Sequence, residues 1–166
     1  MSTSLPVLIG AEQAALIGRR VSIIVASRDA EQRPHLMRAM GCRLSADLRT
    51  VTLFLSGASS RQVLDDLRAN ALIAVVFSEP STNRTVQLKG SDASIVPTAP
   101  GDEALVQTYI RRHAEEIAGL GFAETLSRAI FKHEPGDLVA VRFTPTAAFE
   151  QTPGPKAGEA LRAPAG

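Results

Sequence analysis

Three runs of apolar and β-branched residues constrain this chain most: VSIIVAS at 21–27, TVTLFL at 50–55 and ALIAVVF at 71–77. Each is short for a buried helix and rich in side chains that fit a pleated surface, so each reads as a strand. The polar connections near them are only a few residues long, which suits antiparallel neighbours rather than parallel ones. Between the first two runs lies RPHLMRAMGCR, at 33–43, a returning strand that carries Arg33, Arg38, Arg43 and His35. A guanidinium in a core strand must be paired or hydrogen-bonded. These side chains therefore face water or hold something anionic.

The rest of the chain extends the pattern. A short helix is expected over about 11–20. After the second run, Gly57 breaks the strand, Ser59 or Ser60 can cap a helix, and Val63, Leu64 and Leu67 share one face of it up to Asn70. TVQLKGSDASIV, at 85–96, reads as one longer strand bent or bulged at Gly90. From Asp102, Leu105, Tyr109, Ile110, His113 and Ile117 recur at helical spacing, and a further short helix spans about 122–132. DLVAVRF, at 137–143, is the sixth strand. The expectation is one α+β domain over 1–150: a six-stranded, mostly antiparallel, barrel-like sheet packed by outer helices. Residues 151–166, rich in Pro, Gly and Ala, read as an extended arm or as disorder.

Composition removes several function classes. A net charge of +1 lacks the basic footprint of a general nucleic-acid binder, and 4% aromatic residues with no Trp leave little for base stacking. Cys42 is the only cysteine, so no intrachain disulfide or thiolate-rich metal site can form, which fits a reducing cytosol. The N-terminus lacks a basic start followed by a long apolar run, so no leader or membrane span is expected and the cytoplasm is the expected compartment. There is no HExxH, CxxC, GxSxG, Walker or GxGxxG pattern. His35, His113 and His133 lie on different elements and suggest no metal site, and Cys42 reads as a small buried hydrophobe. Phosphate is the remaining use for the cations. SGASSR puts Gly57, Ser59, Ser60 and Arg61 at a helix start, where unpaired N–H groups and the helix dipole favour an anion. Arg38, Arg43, Arg84 and Lys89 lie on strands that a closed sheet can bring together.

On RPHLMRAMGCR, TVTLFLSGASSRQVLDDLRAN and ALIAVVFSEPSTNRTVQLKG, in that order and spacing, the chain resembles the pyridoxamine 5'-phosphate oxidase-like family of FMN-binding split barrels. The resemblance runs from about residue 21 to 95 and more loosely to 143. It implies a split-barrel fold, FMN at a homodimer interface and a small-molecule substrate. Carried over by position, the cofactor contacts are Arg38, Ala39, Met40, Gly41 and Arg43 on the returning strand. Phe54 and Leu55 would lie along the flavin, Ser60 and Arg61 at the phosphate, and Thr85 with Gln87 where the oxidases have a flavin-contacting glutamine. The Arg-x-His signature that the oxidases use for their substrate's phosphate is absent, so the resemblance implies FMN and an oxidoreductase without naming its substrate. A non-catalytic flavin-binding or sensing protein, and a split barrel holding haem or a deazaflavin, are the other readings.

Overall fold

The computed structural model describes residues 9–19 and 21–162. Arg20, at the end of the expected first helix, lies outside them, as do residues 1–8, part of the stretch read as lacking a leader, and residues 163–166 of the tail. The described residues form four helices, α1 (Ala11–Ile17), α2 (Arg61–Asn70), α3 (Asp102–Ala118) and α4 (Glu124–Ile130). Nine strands accompany them: β1 (Ser22–Arg28), β2 (Pro34–Arg38), β3 (Cys42–Leu44), β4 (Val51–Ser56), β5 (Ile73–Ser78), β6 (Thr85–Gly90), β7 (Ser94–Val96), β8 (Leu138–Phe143) and β9 (Ala147–Glu150).

All strand pairs are antiparallel, and they make two sheets instead of one closed barrel. The larger has the order β2-β1-β5-β6-β9 and the smaller β3-β4-β8-β7. Nine strands replace the expected six because two expected strands each divide between the sheets and a further one forms. RPHLMRAMGCR divides at residues 39–41. The Ala39 N–H donates to the Ile23 carbonyl at 2.9 Å, on the large sheet, and the Met40 N–H donates to the Phe54 carbonyl at 2.7 Å, on the small one. Gly41, with φ 145°, makes the turn between them and accepts the Phe54 N–H at 3.0 Å. A backbone at that φ is costly for a residue with a Cβ.

TVQLKGSDASIV divides in the same way, into β6 and β7. At Gly90 the sheets come together so closely that an added Cβ would lie 2.7 Å from Phe143 Cδ2 and 2.9 Å from the Thr144 carbonyl oxygen. The core lies between the sheets, where Ile23, Val25, Val75, Phe77 and Leu88 of the large sheet face inward and are fully or nearly fully buried, with Leu53, Leu55, Val141 and Phe143 of the small one. The additional strand, β9, leads into the tail, which turns back onto it. Gly158 donates its N–H to the Glu150 carbonyl at 2.7 Å and Leu161 donates to the Ala148 carbonyl at 2.8 Å. Among the described residues no helix is long and apolar enough to cross a membrane.

Candidate functional site

Side chains alternate across a strand, and in the large sheet this alternation separates a core face from an outer one. The core face carries Ser27 and His35, which reach helix α2: Ser27 Oγ donates to Asp66 Oδ2 at 2.7 Å and His35 Nδ1 lies 2.8 Å from the same oxygen. The outer face carries the residues in between. Their register sets Arg38, Ile24, Val76, Gln87 and Phe149 side by side in one row across all five strands. The next row is Leu36, Ala26, Ala74, Lys89 and Ala147. On the other flank, Ser22, Ser78 and Thr85 align, and the Ser78 and Thr85 hydroxyls are 2.7 Å apart.

Four of the sequence-derived candidates, Arg38, Thr85, Gln87 and Lys89, thus share this face. Arg38 and Gln87 are three strand spacings apart, about 14 Å. Arg38 donates to the Ser22 hydroxyl and has no carboxylate partner among the described residues. Lys89 stands on the same face with its Nζ 5.1 Å from the centre of the Phe149 ring, a cation–π contact. Arg84, by contrast, is paired with Glu12 at 2.7 Å.

The other candidates lie elsewhere. Arg43 is on β3 of the small sheet, opposite Thr52, where it pairs with Asp102 at the start of α3 and has its guanidinium carbon 5.7 Å from the Phe54 ring centre. Phe54 and Leu55 are both 0% exposed, on opposite faces of β4, so any contact with a ligand would have to go through the backbone. Ala39, Met40 and Gly41 are buried as well. Helix α3 lies over Gly41, with Leu105 Cδ2 3.3 Å and Tyr109 Cβ 3.4 Å from where a Cβ would be, and Tyr109 donates its hydroxyl to the Val21 carbonyl at 2.7 Å.

Ser60 caps α2, but its hydroxyl is enclosed and has no hydrogen-bond partner among the described residues. Arg61, the next residue, is exposed. The turn before them already holds an anion of the chain's own. Asp137 accepts the Ser56 hydroxyl at 2.5 Å and the Ala58 N–H at 2.8 Å through its carboxylate, and its carbonyl accepts the Gly57 N–H at 2.8 Å. The Ser56 hydrogen bond is the largest influence holding the Asp137 carboxyl below the usual carboxylate pKa. Helix α2 packs on the side of β1 and β2 away from Arg38, as the Asp66 contacts show.

The residues with the more reactive side chains are engaged in the fold. Burial pushes the Cys42 thiol up to about 12, so it stays protonated. His113 is buried with Nδ1 2.8 Å from Ser127 Oγ. His133 bonds the Phe131 carbonyl through Nδ1 at 3.1 Å and Glu103 through Nε2 at 3.0 Å. Two contributors escaped the sequence reading. Phe149 lies on a strand whose start, TAAFE, has too few β-branched residues to announce itself, and Asp137 meets its turn across 81 positions of sequence.

No protein-family model and no curated protein matches the chain. Its structure, however, is similar to several solved ones. A putative pyridoxamine 5'-phosphate oxidase from Lactobacillus delbrueckii matches at TM-score 0.53 and 11% identity, over 89% of this chain and 97% of that one. An F420 reductase matches at TM-score 0.53 and 17% identity, over 81% and 93%. HutZ, the heme storage protein from Vibrio cholerae, matches at TM-score 0.50 and 16% identity, over 86% and 94%. The fold is therefore that of the pyridoxamine 5'-phosphate oxidase-like split barrels.

Proposed function

We propose that this split-barrel chain binds FMN across the outer face of its large sheet and acts, as a homodimer, as an oxidoreductase on a small substrate. The observation that carries the reading is the row from Arg38 to Gln87, a cation without a carboxylate partner and a side-chain amide separated by the half-buried apolar side chains of Ile24 and Val76. The face suits a long, flat, polar-ended molecule. Arg38 would hold phosphate or ribityl oxygens through charge-assisted hydrogen bonds, whereas Arg61, at the head of α2, lies on the other side of the sheet and takes no part in this reading. Gln87 would present donor and acceptor to a heterocycle edge, with Thr85 beside it. Ile24 and Val76 would exclude water beneath a ring. Ala39, Met40 and Gly41, which follow Arg38 directly, would fix its place through the backbone, while Arg43, Phe54, Leu55 and Ser60 belong to the small sheet and the head of α2, away from this face. Residues 1–150 would form the flavin-binding unit.

When bound, FMN supplies the redox chemistry, accepting and returning a hydride or electrons. The protein's part is binding and orientation. The two rows contain no carboxylate, histidine or thiol, so no such group stands there to move a proton. Similarity to an F420 reductase supports a second reading in which the same face holds a deazaflavin. Haem finds less support, because His35 lies on the opposite side of β2 bound to Asp66 while His113 and His133 are engaged within the helical region. The test is the absorbance of the freshly purified protein, before and after adding FMN. Oxidised-flavin bands that survive gel filtration, and that a reductant bleaches and a substrate restores, are expected. A colourless protein that gains no bands refutes FMN binding, and bound flavin that neither NAD(P)H nor candidate amines reduce refutes the oxidoreductase reading.

A further inference from the structure

The second row of the outer face is floored by Ala26, Ala74 and Ala147, whose side chains end at Cβ, and a groove runs over them. Its volume is 640 Å³, inside the roughly 300–1,000 Å³ of small-ligand sites. Lys89 stands in the same row, with its ammonium leaning onto Phe149 of the neighbouring row. Arg28 lines the groove near the β1 end, and none of the lining residues is acidic. The acids nearby in sequence are committed: Asp29 and Glu31 hold Arg33 at 2.7 and 3.1 Å, and Asp92 accepts the Thr144 N–H at 2.8 Å. Neither Arg28 nor Lys89 has a carboxylate partner among the described residues.

A flat apolar floor favours a planar body, and unpaired cations over it favour one negative charge. We propose that the groove binds a planar apolar monoanion, an aromatic carboxylate, and that this is the substrate class of the face assigned above to the flavin. As a substrate assignment it rests on the flavin reading; as a binding site it rests on the groove alone. Lys89, at the boundary between the two rows, would hold the carboxylate beside the row that runs from Arg38 to Gln87.

The experiment titrates 2-naphthoate, and separately the neutral 2-naphthamide, into the full chain with and without FMN, following backbone amide shifts by NMR and affinity by calorimetry. Shifts centred on Ala26, Ala74, Gly90 and Ala147, with naphthamide at least about tenfold weaker, are expected. The exposed-site variant Lys89→Met, which keeps the apolar stem, should weaken naphthoate by about tenfold and leave naphthamide unchanged. Equal binding of the two probes, an unchanged affinity in Lys89→Met, or shifts confined to another surface overturns the proposal. Flavin absorbance in the same samples separates the two readings. FMN uptake without naphthoate shifts defeats the groove alone, whereas naphthoate shifts without FMN uptake uphold the groove and defeat the flavin reading.

Discussion

The imidazole of His113 is sealed between α3 and α4, 2.8 Å from the Ser127 hydroxyl and with the Phe131 ring edge-on at 5.0 Å. Burial, with a smaller contribution from Arg38, lowers its pKa below the ordinary value. The unfolded chain therefore takes up this proton more readily than the folded one. The stability the neutral imidazole supports is present above pH of about 6.5 and is lost as pH falls below it. Urea midpoints measured between pH 8 and pH 5 should fall for the wild type, and His113→Asn should flatten that fall. Equal slopes would show that another group governs it. His113 was readable from sequence as a helix-face residue, but its partner was not, since Ser127 lies on a different helix. Arg38 is the candidate that the sequence singles out most clearly, because a cation in an apolar strand needs a reason. Ser60 shows the limit of that logic: its place at the cap was legible, while the closure of the structure over its hydroxyl depends on packing that no local pattern encodes.

At the scale of elements, the positions and types of most segments were legible because periodicity and turn residues announce them. The divisions were not. Gly90 was marked as a possible bend or bulge, yet it ends β6 in the large sheet and releases the chain toward the small one, and Gly41 stands at the corresponding passage, just before β3. A bulge and a sheet crossover have the same local signature, a glycine within an apolar alternation, and only the identity of the neighbouring strands distinguishes them. Gly90→Ala tests this packing directly. Its new methyl would press on the Phe143 ring and on the Thr144 carbonyl, which is backbone and yields little, so a loss of about 2 kcal/mol is expected by urea denaturation. A variant as stable as the wild type would mean that the sheets can part at no cost. Asp137 offers a second measurement. Removing its carboxylate in Asp137→Ala leaves the Ser56 hydroxyl and the Ala58 N–H without their acceptor, with an expected loss of about 1–2 kcal/mol, against no change if water replaces it freely.

For the whole molecule, the fold class was legible, and the two-sheet architecture replaced the single barrel-like sheet expected. What this arrangement leaves open is the outer face of the large sheet, with Leu36 62% exposed at one edge and Ile24 and Val76 half-buried at its centre. A homodimer formed over this face would have twice the chain mass of 17.6 kDa. Val76→Glu, which puts a charge at the centre of the row, should shift light-scattering mass from dimer to monomer while circular dichroism stays unchanged. A folded variant that remains dimeric would move the interface elsewhere. The central claim is that this face holds FMN, and the most direct test is to titrate FMN into the wild type and Arg38→Ala while following flavin fluorescence. The proposal predicts saturable quenching at one FMN per chain, with affinity reduced at least about tenfold in Arg38→Ala. Absence of saturable quenching, or equal affinity for the two proteins, would contradict it.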